Sequence, residues 1–114
     1  MAGGTRRAQS PYAYVVSGEW PEAVMQPHRS ALVAQAIARE LARAMADQGL
    51  SANALAQRSG VNRQVITNVL KGTVWADIMT VVELEGALGV MLWPVHVAWE
   101  IPGVREEHPP GQHQ

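Results

Sequence analysis

Apolar positions recur at helical spacing in four stretches of the chain, each bracketed by residues that start or stop helices. The first runs from about His28 to Gln48, with Leu32, Val33, Ile37, Leu41, Ala44 and Met45 as its apolar stripe. Arg39, Glu40, Arg43 and Asp47 lie mostly away from that stripe, and Gly49 ends the helix. Ser51 caps a second, short helix that turns Leu55 and Ala56 inward and stops at Gly60, where a left-handed residue is required. Asn62 caps a third, on which Val65, Ile66, Val69 and Leu70 share a face. Asp77 caps a fourth, which carries Ile78, Val81, Val82, Leu84 and Leu88 and stops at Gly89. Val90 to Trp93 adds a last turn before Pro94.

The second and third helices, SANALAQRSGVNRQVITNVLKG from Ser51 to Gly72, organise the rest. Ala56 is small enough to let two crossing helices approach, and Ala56, Val61, Ile66 and Val69 lock them at a steep angle. That is the anatomy of a helix-turn-helix. Its second helix keeps an outward face that bears Arg63, Gln64, Thr67, Asn68 and Lys71.

A period of two marks both flanks. Tyr12 to Ser17 is rich in strand formers and ends at the turn signal Ser17-Gly18. Val95, Val97, Trp99 and Ile101 alternate with His96, Ala98 and Glu100. Lone strands leave unpaired edges, so these two are expected to pair, within one subunit or across a dimer. Trp20-Pro21 is read as the start of a helical turn that Pro27 interrupts. The chain thus divides into an N-terminal arm with a short strand (1–27), a helical domain (28–94), a strand and dimer contact (95–103) and a disordered tail (104–114). Met1 to Ser10, with Arg6 and Arg7, reads as a disordered terminus.

Composition narrows the function. At 114 residues the chain is one domain, and 47% apolar residues suffice for a core. Without cysteine there are no disulfides or thiolate metal sites, which fits a reducing compartment. The apolar runs are too interrupted for a span of about 20 residues, so a cytoplasmic protein with no membrane contact is expected. A net charge of −1 argues weakly against non-specific nucleic-acid binding, yet every charge between Gln48 and Ala76 is positive: Arg58, Arg63 and Lys71. His28, His96, His108 and His113 are too scattered for a metal site, and Glu83 and Glu85 read as a solvated face. No phosphate loop or nucleophile elbow is present, so no enzyme, cofactor or metal is expected.

Ile37 to about Trp93 resembles the phage-repressor-like (Cro-like, XRE) helix-turn-helix family. The resemblance rests on Ile37, Leu41 and Ala44 leading into Gly49-Leu50-Ser51, then Leu55-Ala56, Gly60-Val61-Asn62, Ile66, Lys71-Gly72 and Ala87-Leu88-Gly89-Val90. It implies a mainly α, lambda-repressor-like bundle of four to five helices, to which the period-two flanks would add short β-strands at both ends. It also implies a dimeric DNA-binding transcriptional regulator, with the second motif helix in the major groove. Ala52 stands where the family often has a Gln that supports a phosphate contact, and Ala76 where many members have a Pro. Trp75 is expected to plug that loop onto the bundle.

On this reading Arg63 pairs bidentately with guanine, Gln64 and Asn68 pair with adenine, and Thr67 meets a thymine methyl or a phosphate. Asn62, Lys71, Thr73, Ser51 and Asn53 are placed for phosphates, while Arg58 faces either solvent or phosphate. Tyr14, Val16, Trp93, Val95, Val97 and Trp99 form the expected dimer surface, because three of the four tryptophans lack the basic interleaving of a base-stacking site. The implied partner is a pseudo-palindromic double-stranded operator, bound by a homodimeric repressor. The rivals are an antitoxin or accessory regulator that binds a partner protein, and a scaffold that uses this fold for protein contacts.

Overall fold

The structure, a computed structural model, describes residues 9–94. Four helices form where the apolar spacing and caps place them: α1 (Arg29–Gln48), α2 (Ala52–Ser59), α3 (Arg63–Lys71) and α4 (Ile78–Leu88). Each start is held by a side chain that accepts a backbone N–H left over at the first turn: His28 from Ala31, Ser51 from Ala54, Asn62 from Gln64 and Asp77 from Thr80. Each end is a glycine in the left-handed region, of which Gly72 alone would also clash if it gained a side chain. The helices converge on one core built from Leu41, Leu55, Ile66, Leu84 and Leu92, all at 1% exposure or less, with Ile37, Met45, Val69, Val81 and Leu88 around them. Ala56 and Val61 pack against that core from the α2–α3 side, as the helix-turn-helix requires.

The N-terminal flank departs from the sequence reading. A short 3-10 turn (Pro11–Tyr14) leads into β1 (Val15–Ser17), which pairs antiparallel with β2 (Val24–Met25). The partner of this first strand is therefore the segment read as a helical turn after Trp20-Pro21. That segment makes a tight turn instead, with Glu22 N–H donating to the Glu19 carbonyl at 3.0 Å. The 3-10 turn before the hairpin packs on α1. There Ala31, Ala36 and Ala38 are buried beside Gln35, whose amide donates to the Ala23 carbonyl at 2.7 Å. Residues 95–103, expected to supply the pairing strand, and the tail 104–114 lie outside the described residues, as do Arg6, Arg7, His96, His108 and His113.

Two further expectations change at the other end. Val90 to Trp93 does not continue the helix. Instead the Glu85 carboxylate, expected on a solvated face, is half-buried and accepts from the backbone N–H groups of Leu92 at 2.8 Å and Trp93 at 2.9 Å. This fold-back seats Leu92 in the core. On α4 only Val81, Leu84 and Leu88 turn inward, whereas Ile78 is 77% and Val82 54% exposed.

Candidate nucleic-acid interface

Amphipathicity is what frees the outer face of α3. Ile66 and Val69 are buried under it, and Val65 and Leu70 are half-buried beside them. Arg63, Gln64 and Lys71 are exposed, while Thr67 and Asn68 are half-buried on the flank. With no acidic residue in its first turn and Lys71 in its last, the helix presents only cationic and neutral polar groups on that face.

The polar side chains are partly ordered before any partner arrives. Gln64 Nε2 donates to Asn68 Oδ1 at 3.2 Å, one helical turn away. This leaves the Gln64 carbonyl and the Asn68 amide N–H groups for an outside partner, the acceptor–donor set an adenine edge requires. The Thr67 hydroxyl donates to the Arg63 carbonyl at 3.0 Å, which spends its proton on the helix and leaves the methyl as the contact group. Arg63 makes no ion pair among the described residues, so its guanidinium fork is available.

The residues expected at phosphates divide in two groups. Asn62 Oδ1 and Ser51 Oγ are engaged as caps at 2.7 and 3.0 Å, but both keep N–H or O–H donors that face exposed surroundings. Asn53 and Lys71 are exposed. Thr73 is also exposed, yet its hydroxyl donates to the Asn68 carbonyl at 3.2 Å and would have to turn to reach a phosphate. Arg58 leans toward the end of α1, with Nη1 at 3.4 Å from Gln48 Oε1.

Of the residues expected at a dimer contact, Tyr14 stacks on His28 within the chain, ring centroids 4.0 Å apart, and meets Trp75 edge-on. Val16 and Trp93 are exposed at 61% and 50%, and Val95, Val97 and Trp99 lie outside the described residues. Trp75 binds more than its own loop: its indole N–H donates to the Gln9 carbonyl at 2.7 Å and ties down the N-terminal segment. Trp20 is a neighbour of α3 that no sequence pattern marks, because the only signal for it is a lone aromatic 50 residues away from its partner Leu70.

Among the described residues, no group of His, Cys, Asp or Glu could hold a metal ion and no helix is long and apolar enough to cross a membrane. No curated protein matches the chain. Residues 41–91, from the middle of α1 to just beyond α4, match the helix-turn-helix family model. That match covers just under half of the chain and is consistent with a helix-turn-helix of the Cro- and XRE-like kind over those residues.

Proposed function

We propose that the protein is a sequence-specific double-stranded DNA-binding transcriptional regulator, a repressor that acts as a homodimer on a pseudo-palindromic operator. The observation that carries this reading is the outer face of α3, where Arg63, Gln64, Asn68 and Lys71 surround a helix locked from behind by Ile66 and Val69. Base readout in the major groove needs long or amide side chains on the first turns of such a helix. Asn62, Ser51, Asn53, Lys71 and Thr73 flank it as phosphate contacts that fix register rather than sequence.

One such module buries few base contacts, so selectivity calls for two copies. Ile78, Met79 and Val82 support that step: with Val82 four residues from Ile78 and three from the adjacent Met79 on α4, they form one exposed apolar patch at 77%, 71% and 54% exposure. The same patch favours a second reading, in which an accessory regulator or antitoxin covers it with a partner protein. A chain that stays monomeric at high concentration and on DNA would favour that reading.

Selection of bound duplexes from a random pool, with the full chain, tests the main reading. The expected product is a motif with two related half-sites about one helical turn, roughly 34–36 Å, apart. A pool that shows no enriched motif after repeated rounds would overturn it.

A further inference from the structure

The N-terminal hairpin lies outside residues 41–91, yet it grips the far end of α3. The last carbonyls of a helix have no partner within it. Here the Trp20 indole N–H, from the hairpin turn, donates to one of them, the Leu70 carbonyl, at 3.0 Å, and the Tyr12 backbone N–H, from the 3-10 turn leading into the hairpin, donates to the carbonyl of Gly72, the residue after the helix, at 2.8 Å. Gly72, at φ +76°, lets the indole lie directly against the backbone, since a Cβ there would stand 2.6–2.9 Å from three atoms of the Trp20 ring. Behind the joint a cavity of about 390 Å³ opens between Trp20, Trp75, Trp93 and α1. Close packing therefore does not immobilise the joint on that side, and the two hydrogen bonds and the indole face hold it.

From this geometry we propose that the hairpin is a positioning element for DNA readout, with Trp20 as the positioning residue. The inference rests on the reading of α3 as the recognition helix. Arg63 sits about 12 Å from Lys71 at the usual rise of ~1.5 Å per residue. A tilt of roughly 5° about the clamped end moves Arg63 by about 1 Å, enough to spoil a bidentate contact to a base edge while phosphate contacts adjust. The clamp therefore governs discrimination between sequences more than overall attraction to DNA.

The test compares wild type, Trp20→Phe, Gly72→Ala and, as a control of similar stability loss, Val81→Ala. Trp20→Phe keeps a ring and deletes the donor, and Gly72→Ala drives the indole off the backbone. Affinity for a selected site and for random duplex is measured by fluorescence anisotropy, at a temperature where melting curves show every variant folded. The expected result is a loss of discrimination of about tenfold in both clamp variants, with random-DNA affinity little changed and Val81→Ala close to wild type. Amide exchange at Gly72 and Thr73 should speed up in the clamp variants alone. Unchanged discrimination in folded clamp variants would overturn the proposal, and so would an equal loss in Val81→Ala. Wild type that prefers no sequence would instead overturn the DNA reading itself.

Discussion

Helices α3 and α4 are built alike and face the solvent differently. Both start at a side-chain cap, Asn62 or Asp77, and end at a left-handed glycine, Gly72 or Gly89. Both send branched aliphatic side chains into the same core, Ile66 and Val69 from one, Val81, Leu84 and Leu88 from the other. Their outer faces share nothing. On α3 the exposed positions hold Arg63, Gln64 and Lys71; on α4 they hold Ile78, Met79 and Val82, with Glu83 and Gly86 beside them. The inner face of a helix is dictated by the fold, whereas the outer face is free to be written for a partner. A cationic and amide surface suits the base edges and phosphates of DNA, and an apolar one suits protein.

Equivalence of the inner faces is open to the largest perturbation. Ile66→Ala and Leu84→Ala should each destabilise the chain by about 2–5 kcal/mol, since both side chains are buried at 1% exposure or less and the cavity left behind closes only partly. Urea unfolding measures this, and a large effect at one site alone would break the symmetry drawn here.

The α4 outer face is tested by Ile78→Asp with Val82→Asp. Stability should change by no more than about 0.5 kcal/mol per substitution, because both positions are exposed. Sedimentation should show a dimer become a monomer, and affinity for a two-half-site duplex should fall by about 100-fold as avidity is lost. An unchanged dimer would place the subunit contact elsewhere.

The caps differ in one respect that pH exposes. Asn62→Ala should cost about 1 kcal/mol at any pH between 3 and 7. Asp77 behaves otherwise: the hydrogen bond from the Thr80 backbone N–H, and then one from its side chain, hold the carboxyl below its ordinary range. A carboxyl depressed on folding stabilises the chain above the unfolded-state value of about 4, and that contribution disappears as pH falls through the folded one. The gap in urea midpoint between wild type and Asp77→Asn should therefore narrow from pH 7 to pH 3. A gap that widens on acidification would contradict the sign.

Helices were legible in the sequence because short-range chemistry fixes them. Ser51, Asn62 and Asp77 cap the turns they directly precede, and Gly49, Gly60 and Gly89 mark the ends by needing only their own backbone conformation. The polar face of α3 could be read for the same reason. What could not be read depends on distant partners. β2 is two residues long, Val24 and Met25, too short to register as alternation, so the pattern matches β1 to a more strongly alternating segment near the other end. Ile78 and Val82 satisfy the spacing of a buried stripe, but the bundle offers cover only along Val81, Leu84 and Leu88. Glu85 and Gln35 look like surface residues until the backbone groups they satisfy, at Leu92, Trp93 and Ala23, are seen. The grip of Trp20 on Leu70 spans 50 residues and left no local trace.

Readout of base sequence by α3 is tested most directly by one ratio, the affinity for a selected duplex over that for a scrambled one. It is measured by fluorescence anisotropy across a salt series, for wild type and for the Arg63→Ala, Gln64→Ala double variant. Wild type should show a large ratio, and the double variant should lose about 2–5 kcal/mol of it, the worth of two bidentate base contacts. The salt slope should drop by about 1 at most, because the phosphate contacts of Lys71 and the caps remain. Equal ratios for the two proteins would contradict the account, since α3 would then not be reading the bases.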